Sequence, residues 1–104
     1  MTNIPADEAY TLLHQPGNIF VDVRTPGEFS TAHIEGAINL PLDTIADTIE
    51  AKIPDKSARI YLYCLSGSRS TQSASLVAHL GYTNVFNIQS GLLAWRIKNL
   101  PLVS

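Results

Sequence analysis

The chain has 104 residues, of which 45% are hydrophobic and 15% are charged, and its formal net charge is -2 at pH 7. This length fits one compact domain, residues 1–104, with a modest hydrophobic core. The slight negative charge and the lack of any Lys or Arg cluster argue against direct binding of nucleic acid. One cysteine excludes an internal disulfide, and three scattered histidines offer no zinc-binding spacing, so no metal or other cofactor is expected.

Nothing in the sequence indicates export or insertion into a membrane. The N-terminal residues lack the basic start and apolar run of a secretory signal, and no apolar stretch approaches the length of a membrane-spanning helix. We therefore expect a cytoplasmic protein that does not bind membranes, and we expect a monomer.

The predicted secondary structure alternates helices with strands. A helix is expected after Pro5, with apolar positions at Ala6, Tyr10, Leu12 and Leu13. Three short runs rich in β-branched and aromatic residues, 19–23, 59–63 and 84–88, predict strands in the centre of a sheet, and a briefer strand ends before Pro41. This alternation favours a mainly parallel sheet with helices on both faces.

Three further segments have helical or core-forming character. One apolar stripe predicts a packing helix, and it consists of Leu42, Ile45, Ala46, Ile49 and Ile53. A second stripe, Ala74, Leu76, Val77 and Leu80, predicts a helix that Gly81 would end in a left-handed conformation. The segment 91–99 contains Leu92, Leu93, Trp95 and Ile97, and it is too apolar all round for an exposed element. We expect it to close the core.

Polar residues follow the first of the three central strands. Thr25 and Glu28 have the spacing of a capping box, and Pro26 occupies the first helical position, so a helix should begin here. The cap adequately explains Glu28. Asp22 and Arg24 are expected to form an internal hydrogen-bonded or ion pair that supports the loop.

The run from Tyr61 to Ser70 contains the only cysteine. An apolar strand leads directly into Cys64, and small hydroxyl-bearing residues and a helix follow. At such a junction the unpaired backbone N–H groups and the helix dipole converge on one point, which biases a thiol toward the thiolate. Because the ligand crevice of an open α/β sheet lies beyond the carboxyl ends of its strands, Arg24 and Cys64 are expected to share one edge.

Four segments together resemble a rhodanese (sulfurtransferase) domain. They are VDVRTPGEF at 21–29, HIEGAINLP at 33–41, Tyr63-Cys64 with the following loop, and GLLAW at 91–95. The resemblance spans nearly the whole chain, and the order and spacing of the segments make it highly specific. It implies an α/β rhodanese-like fold, with a mainly parallel five-stranded sheet and helices on both faces. It also implies a catalytic Cys64 that carries sulfane sulfur as a persulfide.

The resemblance further implies a role for the loop after Cys64. The residues that would bind substrate are Leu65, Ser66, Gly67, Ser68, Arg69 and Ser70. Backbone N–H groups would hold the persulfide anion, and Arg69 would bind the anionic substrate. Alternatively, the three serines cap the following helix and Arg69 is a solvated surface cation. His33 lies in a segment that resembles a structural element, so we do not count it among the site residues.

The expected reaction moves sulfur from a small anionic donor, thiosulfate or a persulfide, through Cys64 to an acceptor. The chain has no second cysteine, so the acceptor must come from outside: cyanide in vitro, and a thiol or a sulfur-carrier protein in the cell. Leu65 stands where many family members have a basic residue, which argues against strong thiosulfate binding. Ser90 stands where relatives often have glycine, and this difference is expected to concern backbone shape.

Two other functions are compatible with the resemblance. Related cell-cycle phosphatases share the fold but place an arginine one position further from the cysteine than Arg69 lies from Cys64. The shorter loop therefore favours sulfur over a tetrahedral phosphoryl group. The other alternative is a persulfide carrier or interaction module that acts only with a protein partner.

Overall fold

The computed structural model describes residues 1–104 as a five-stranded parallel sheet flanked by helices. The strands are β1 (Thr2–Ile4), β2 (Asn18–Asp22), β3 (Ile38–Asn39), β4 (Arg59–Tyr63) and β5 (Asn84–Ile88). The helices are α1 (Ala6–Leu12), α2 (Pro26–Thr31), α3 (Ile45–Lys52), α4 (Ser68–His79) and α5 (Gly91–Ile97). The strand order is β1-β5-β4-β2-β3, and every pairing is parallel, which confirms the predicted α/β class.

Alternate residues of the central strands face two separate hydrophobic clusters, because successive side chains of a strand point to opposite faces of a sheet. Ile60 and Leu62 of β4 pack with α3 and α4, through Ile45, Ile49, Ala74 and Val77. Tyr61 and Tyr63 of β4 pack on the other face with α1 and α5, through Ala6, Ala9, Leu92 and Trp95. Both faces of β4 are therefore buried, and its carboxyl end lies at the middle of one edge of the sheet.

The three predicted central strands occupy the three inner positions of the sheet. The bounds of β4 and β5 agree with the prediction, and β2 is shifted by one residue. The predicted strand before Pro41 is only two residues long. β1 was not predicted, because its three residues are too few to show a pattern. None of the five helices is long and apolar enough to cross a lipid bilayer.

Several apolar residues that were predicted to pack inward are exposed instead. The expectation that 91–99 is buried all round is wrong, because Leu93 and Ile97 are 47% and 80% exposed. α5 lies on the outside of the sheet, so only its inner face, with Leu92 and Trp95, reaches the core. The same reason applies to Leu76, which is 42% exposed on α4, and to Ala46 on α3.

Candidate active site

The candidate site lies where the neighbouring strands β2 and β4 end. Asp22 pairs with Tyr63 in the last register position, and the amide of Val23 donates to the carbonyl of Tyr63 at 3.0 Å. Cys64 and Arg24 follow directly from these strand ends. The structure thus places both at one edge of the sheet, as the parallel topology predicted.

The thiol of Cys64 is surrounded by hydrogen-bond donors of its own loop. Sγ accepts the amide N–H of Gly67 at 3.1 Å, and the hydroxyl of Ser70 lies 3.6 Å from Sγ. Gly67 has a φ of +107°, which turns the chain tightly back over the sulfur and starts α4. Cys64 itself is only 1% exposed.

These donors determine the electrostatics of the sulfur. Burial on its own would raise the pKa of the Cys64 thiol. The hydroxyl of Ser70 and the backbone N–H groups of Ser70, Gly67 and Ser66 outweigh that effect, so the pKa lies below its usual value. The loop therefore favours the anionic form of the sulfur.

The first residues of α5 bind the backbone carbonyl groups of Cys64 and Leu65. The amides of Leu92 and Leu93 donate to the carbonyls of Cys64 and Leu65, each at 3.0 Å. Gly91 permits this approach, since a Cβ at that position would overlap the carbonyl oxygen of Cys64. Helix α5 thus accounts for the orientation of the cysteine peptide. Gly91 was not among the predicted site residues, although its place in the GLLAW segment was a usable signal.

Ser90, directly before α5, has a φ of +57°. This value lies in the left-handed region that favours glycine. The positive φ supports the expectation that the difference from relatives at this position concerns backbone shape.

A buried polar network extends from the sulfur into β5. Ser70 is fully buried, and its hydroxyl bonds the carbonyl of Gly67 at 3.1 Å and Oδ1 of Asn87 at 2.5 Å. Nδ2 of Asn87 donates to Oδ1 of Asn3 at 3.0 Å. Sequence reasoning missed Asn87, because it lies 17 residues from Ser70 along the chain and only the sheet brings the two together.

Arg69 forms an ion pair with Glu28. Nη1 and Nη2 of Arg69 donate to Oε1 and Oε2 of Glu28 at 2.6 and 3.0 Å. The guanidinium of Arg69 lowers the pKa of Glu28 to about 2. The predicted capping box with Thr25 is present. The view that the cap accounts fully for Glu28 is nevertheless wrong, because the same carboxylate also binds Arg69.

Asp22 and Arg24 form the expected internal ion pair. Nε of Arg24 donates to Oδ1 of Asp22 at 3.0 Å and Nη2 to Oδ2 at 2.7 Å, and both residues are buried. Nη2 also donates to the carbonyl of Ala32. The pair therefore fixes the loop after β2. Nδ1 of His33 bonds the carbonyl of Phe29 at 2.7 Å, a structural contact.

Two depressions flank the cysteine loop. A polar cleft of about 470 Å³ is lined by Asn3, Ser66, Gly67, Thr71, Asn87, Gln89 and Ser90. A smaller groove of about 110 Å³ is lined by Val23, Thr25, Pro41, Leu42, Asp43 and Arg69. The structure thus places Gly67 and Ser70 beside the sulfur of Cys64. Ser66 lines the polar cleft, and Arg69 lines the smaller groove. Leu65, Ser66 and Ser68 are exposed. No group of three or more His, Cys, Asp or Glu side chains is arranged to hold a metal ion.

The fold and the site together define a class of protein: a parallel α/β domain with an activated thiol in a tight loop at the carboxyl end of a central strand. A family model described as the rhodanese-like domain matches residues 5–98. The chain belongs to this family.

Individual relatives differ in the functions that their names state. The tRNA uridine(34) hydroxylase of Yersinia enterocolitica is 30% identical, over 95% of this chain and 31% of that protein. The thiosulfate sulfurtransferase PspE of Escherichia coli is 37% identical, over 65% of each chain. The chain thus spans about a third of the hydroxylase. A solved Escherichia coli rhodanese with anions is 33% identical, with a TM-score of 0.74 and coverage of 84% of this chain and 98% of that one.

Proposed function

We propose that this protein is a sulfurtransferase in which Cys64 carries sulfane sulfur as a persulfide. The observation that carries this proposal is the geometry of the thiol, which accepts the Gly67 N–H at 3.1 Å at the end of the central strand β4. Family membership and the relative named as a thiosulfate sulfurtransferase support it. The hydroxylase activity in the name of the longer relatives is not proposed, because the chain covers 31% of that protein.

The first half-reaction loads the sulfur. The Cys64 thiolate attacks the outer sulfur of the donor, the bond between that sulfur and the rest of the donor breaks, and its electron pair leaves with the leaving group. With thiosulfate the leaving group is sulfite, and with a persulfide it is a thiolate. In both cases Cys64 becomes a persulfide anion, and total charge is conserved.

The second half-reaction returns the cysteine to its starting state. A thiolate, cyanide or a sulfur-carrier protein attacks the outer sulfur, and Cys64 leaves as the thiolate. The lowered pKa of Cys64 assists this step, because thiols of lower pKa leave faster. The Gly67 amide, which donates to Sγ, stabilises the thiolate that leaves in this step.

A persulfide suits the site better than thiosulfate as donor. Leu65 is 38% exposed and provides no charge, while the guanidinium of Arg69 is bound to Glu28. A dianionic donor gains from each free cation near it, whereas a singly charged persulfide depends less on such cations. We therefore propose that persulfides are the preferred donors.

A second candidate function is a persulfide carrier that exchanges sulfur only with a partner protein. It is favoured by Leu65 and Leu93, which are 38% and 47% exposed and are joined by a backbone hydrogen bond beside Cys64. Exposed apolar residues at this place are suited to protein contact. Retention of a partner protein by the persulfidated chain, together with negligible turnover of small donors, would favour the carrier.

The phosphatase alternative has less support. Arg69 is bound bidentately to Glu28, so it is not free to clamp a phosphate. Efficient hydrolysis of an aryl phosphate without any transfer of sulfane sulfur would overturn the sulfurtransferase proposal in favour of the phosphatase.

We also propose a cytoplasmic location. A functional free thiol suits a reducing compartment, which supports this location.

Intact-mass spectrometry tests the intermediate and its site together. The purified protein is exposed to thiosulfate, or to the persulfide of 2-mercaptoethanol, and then to cyanide. We expect a mass increase of one sulfur atom that cyanide removes and that Cys64→Ser lacks. If Cys64→Ser kept full sulfur transfer, the proposal would be refuted. Circular dichroism of the variant checks that its fold is intact.

A further inference from the structure

The ion pair between Glu28 and Arg69 links the first turns of two helices beside the cysteine loop. Glu28 belongs to α2 and Arg69 to α4, and 41 residues separate them. The two bonds use both carboxylate oxygens and two guanidinium nitrogens, which is the strongest geometry available to such a pair. Both side chains are about one-third exposed, at 33% and 34%, so the pair lies at the protein surface.

A second set of contacts holds Glu28 in place. Oε1 accepts the backbone N–H of Thr25 at 3.2 Å, and the Thr25 hydroxyl accepts the backbone N–H of Glu28 at 3.3 Å. The carboxylate is thus positioned by the start of α2 before it meets Arg69. The pair costs little side-chain entropy on the Glu28 side for this reason.

Among the residues that line the two depressions beside the cysteine loop, Arg69 is the only Lys or Arg. Arg69 is the only cation between Cys64 and Ser70. Arg24, the other nearby arginine, is 4% exposed and bound to Asp22. The groove beside Arg69 contains Asp43, a further carboxylate.

We propose that Glu28 is a specificity-determining residue, which selects against doubly charged sulfur donors by holding the only cation of the cysteine loop. An incoming dianion must displace a carboxylate that is already bound bidentately. A singly charged persulfide reaches Cys64 without needing that cation. This inference rests on the proposed sulfur transfer. Whether Glu28 keeps Arg69 from binding anions can nevertheless be tested without any transfer of sulfur.

Alkylation of Cys64 provides the independent test. The thiolate attacks the methylene carbon of N-(iodoacetyl)aspartate, a dianion, or of its uncharged diamide and expels iodide, so the two reagents differ mainly in charge. In Glu28→Gln, the amide can still accept from Thr25 but no longer neutralises Arg69. We expect the rate ratio of the dianionic to the uncharged reagent to rise about fivefold, the upper end for a partly exposed charge pair.

A matched control separates release of Arg69 from a general change of charge. Asp43→Asn removes one negative charge from the same groove, but Asp43 forms no ion pair with Arg69. We expect it to change the ratio less than about twofold, as is usual for an exposed charge. Equal effects of Glu28→Gln and Asp43→Asn would overturn the proposal.

Steady-state kinetics then test donor selection itself. Glu28→Gln should raise kcat/KM for thiosulfate about fivefold, while kcat/KM for the persulfide of 2-mercaptoethanol changes little. In a background that carries Arg69→Ala, adding Glu28→Gln should leave kcat/KM for thiosulfate unchanged. An increase of the same size without Arg69 would refute the role of the ion pair. If the wild-type protein transfers no sulfur at all, the proposed function fails, whereas the alkylation ratio still tests the ion pair.

Discussion

Gly91 lies directly against the carbonyl group of Cys64, so that the first residue of α5 and the cysteine pack backbone to backbone. The next two amides of α5 donate to the carbonyls of Cys64 and Leu65. On the other side of the loop, the amide of Gly67 donates to the sulfur. The position of the cysteine peptide thus depends on a helix that begins 27 residues further along the chain.

Gly91→Ala should disrupt this arrangement. The added methyl would overlap the Cys64 carbonyl and approach the Leu65 carbonyl oxygen to 2.8 Å, and the φ of +48° already disfavours a side chain. We expect unfolding free energy to fall by about 3 kcal/mol and sulfur transfer to be lost. Gly27→Ala is the control, since nothing lies within 4 Å of its added Cβ. Urea denaturation and activity measure both effects, and a fully active, stable Gly91→Ala would contradict the proposed role.

Ser70→Ala should raise the pKa of the Cys64 thiol. The variant removes a hydroxyl that lowers this pKa and leaves the burial that raises it. The rate of alkylation by iodoacetamide, followed as a function of pH, reports the pKa directly. We expect slower alkylation at pH 7 than in the wild type. Ser68→Ala, which changes an exposed serine in the same turn, should leave the profile unchanged. An unshifted profile for Ser70→Ala would show that the hydroxyl does not act on the sulfur.

The ion pair between Glu28 and Arg69 should make the unfolding free energy depend on pH. The folded-state pKa of Glu28 is about 2, below its ordinary value of 4.5, so the carboxylate stabilises the fold at pH values above 4.5. That contribution is lost as the pH falls from 4.5 toward 2. Because the pair is partly exposed, we expect at most about 1 kcal/mol. The difference in unfolding free energy between the wild type and Glu28→Gln should therefore decrease from pH 7 to pH 3. A constant difference would contradict the assignment.

Ser90→Gly should stabilise the protein. Ser90 is exposed and adopts a φ of +57°, which costs an ordinary residue about 1 kcal/mol relative to glycine. We expect a higher Tm with unchanged activity. Asn99→Gly is a useful comparison, because Asn99 has a φ of +55° and asparagine tolerates this conformation better than serine. A Ser90→Gly variant that is no more stable than the wild type would mean that the serine is not strained.

Leu65→Arg should improve the use of thiosulfate. Leu65 is 38% exposed, so a cation there stays hydrated while it reaches an anionic donor beside Cys64. We expect kcat/KM for thiosulfate to rise about fivefold and persulfide kinetics to change less. Leu76→Arg adds the same charge at a 42% exposed position further along α4. If both variants had the same effect, net charge rather than position would explain it.

Local sequence patterns were sufficient for the three inner strands of the sheet and for the position of the thiol. The strands 59–63 and 84–88 were predicted with correct bounds because both faces of these strands are buried, which leaves nearly continuous apolar runs. The junction at Cys64 was also predictable, because the end of a strand and the start of a helix are encoded by neighbouring residues. The capping box of Thr25 and Glu28 is local in the same way.

Contacts between distant residues were decided by the tertiary structure alone. The sequence predicted Glu28 as a cap, but its bond to Arg69 exists only because α2 and α4 begin side by side at one edge of the sheet. Likewise, Asn87 meets Ser70, and Gly91 meets Cys64, because β5 and β4 are neighbours. Apolar character in the sequence also could not tell which side of α5 faces water. Hydrophobic periodicity and capping act over a few residues, whereas charge pairing and burial depend on which elements the completed fold brings together.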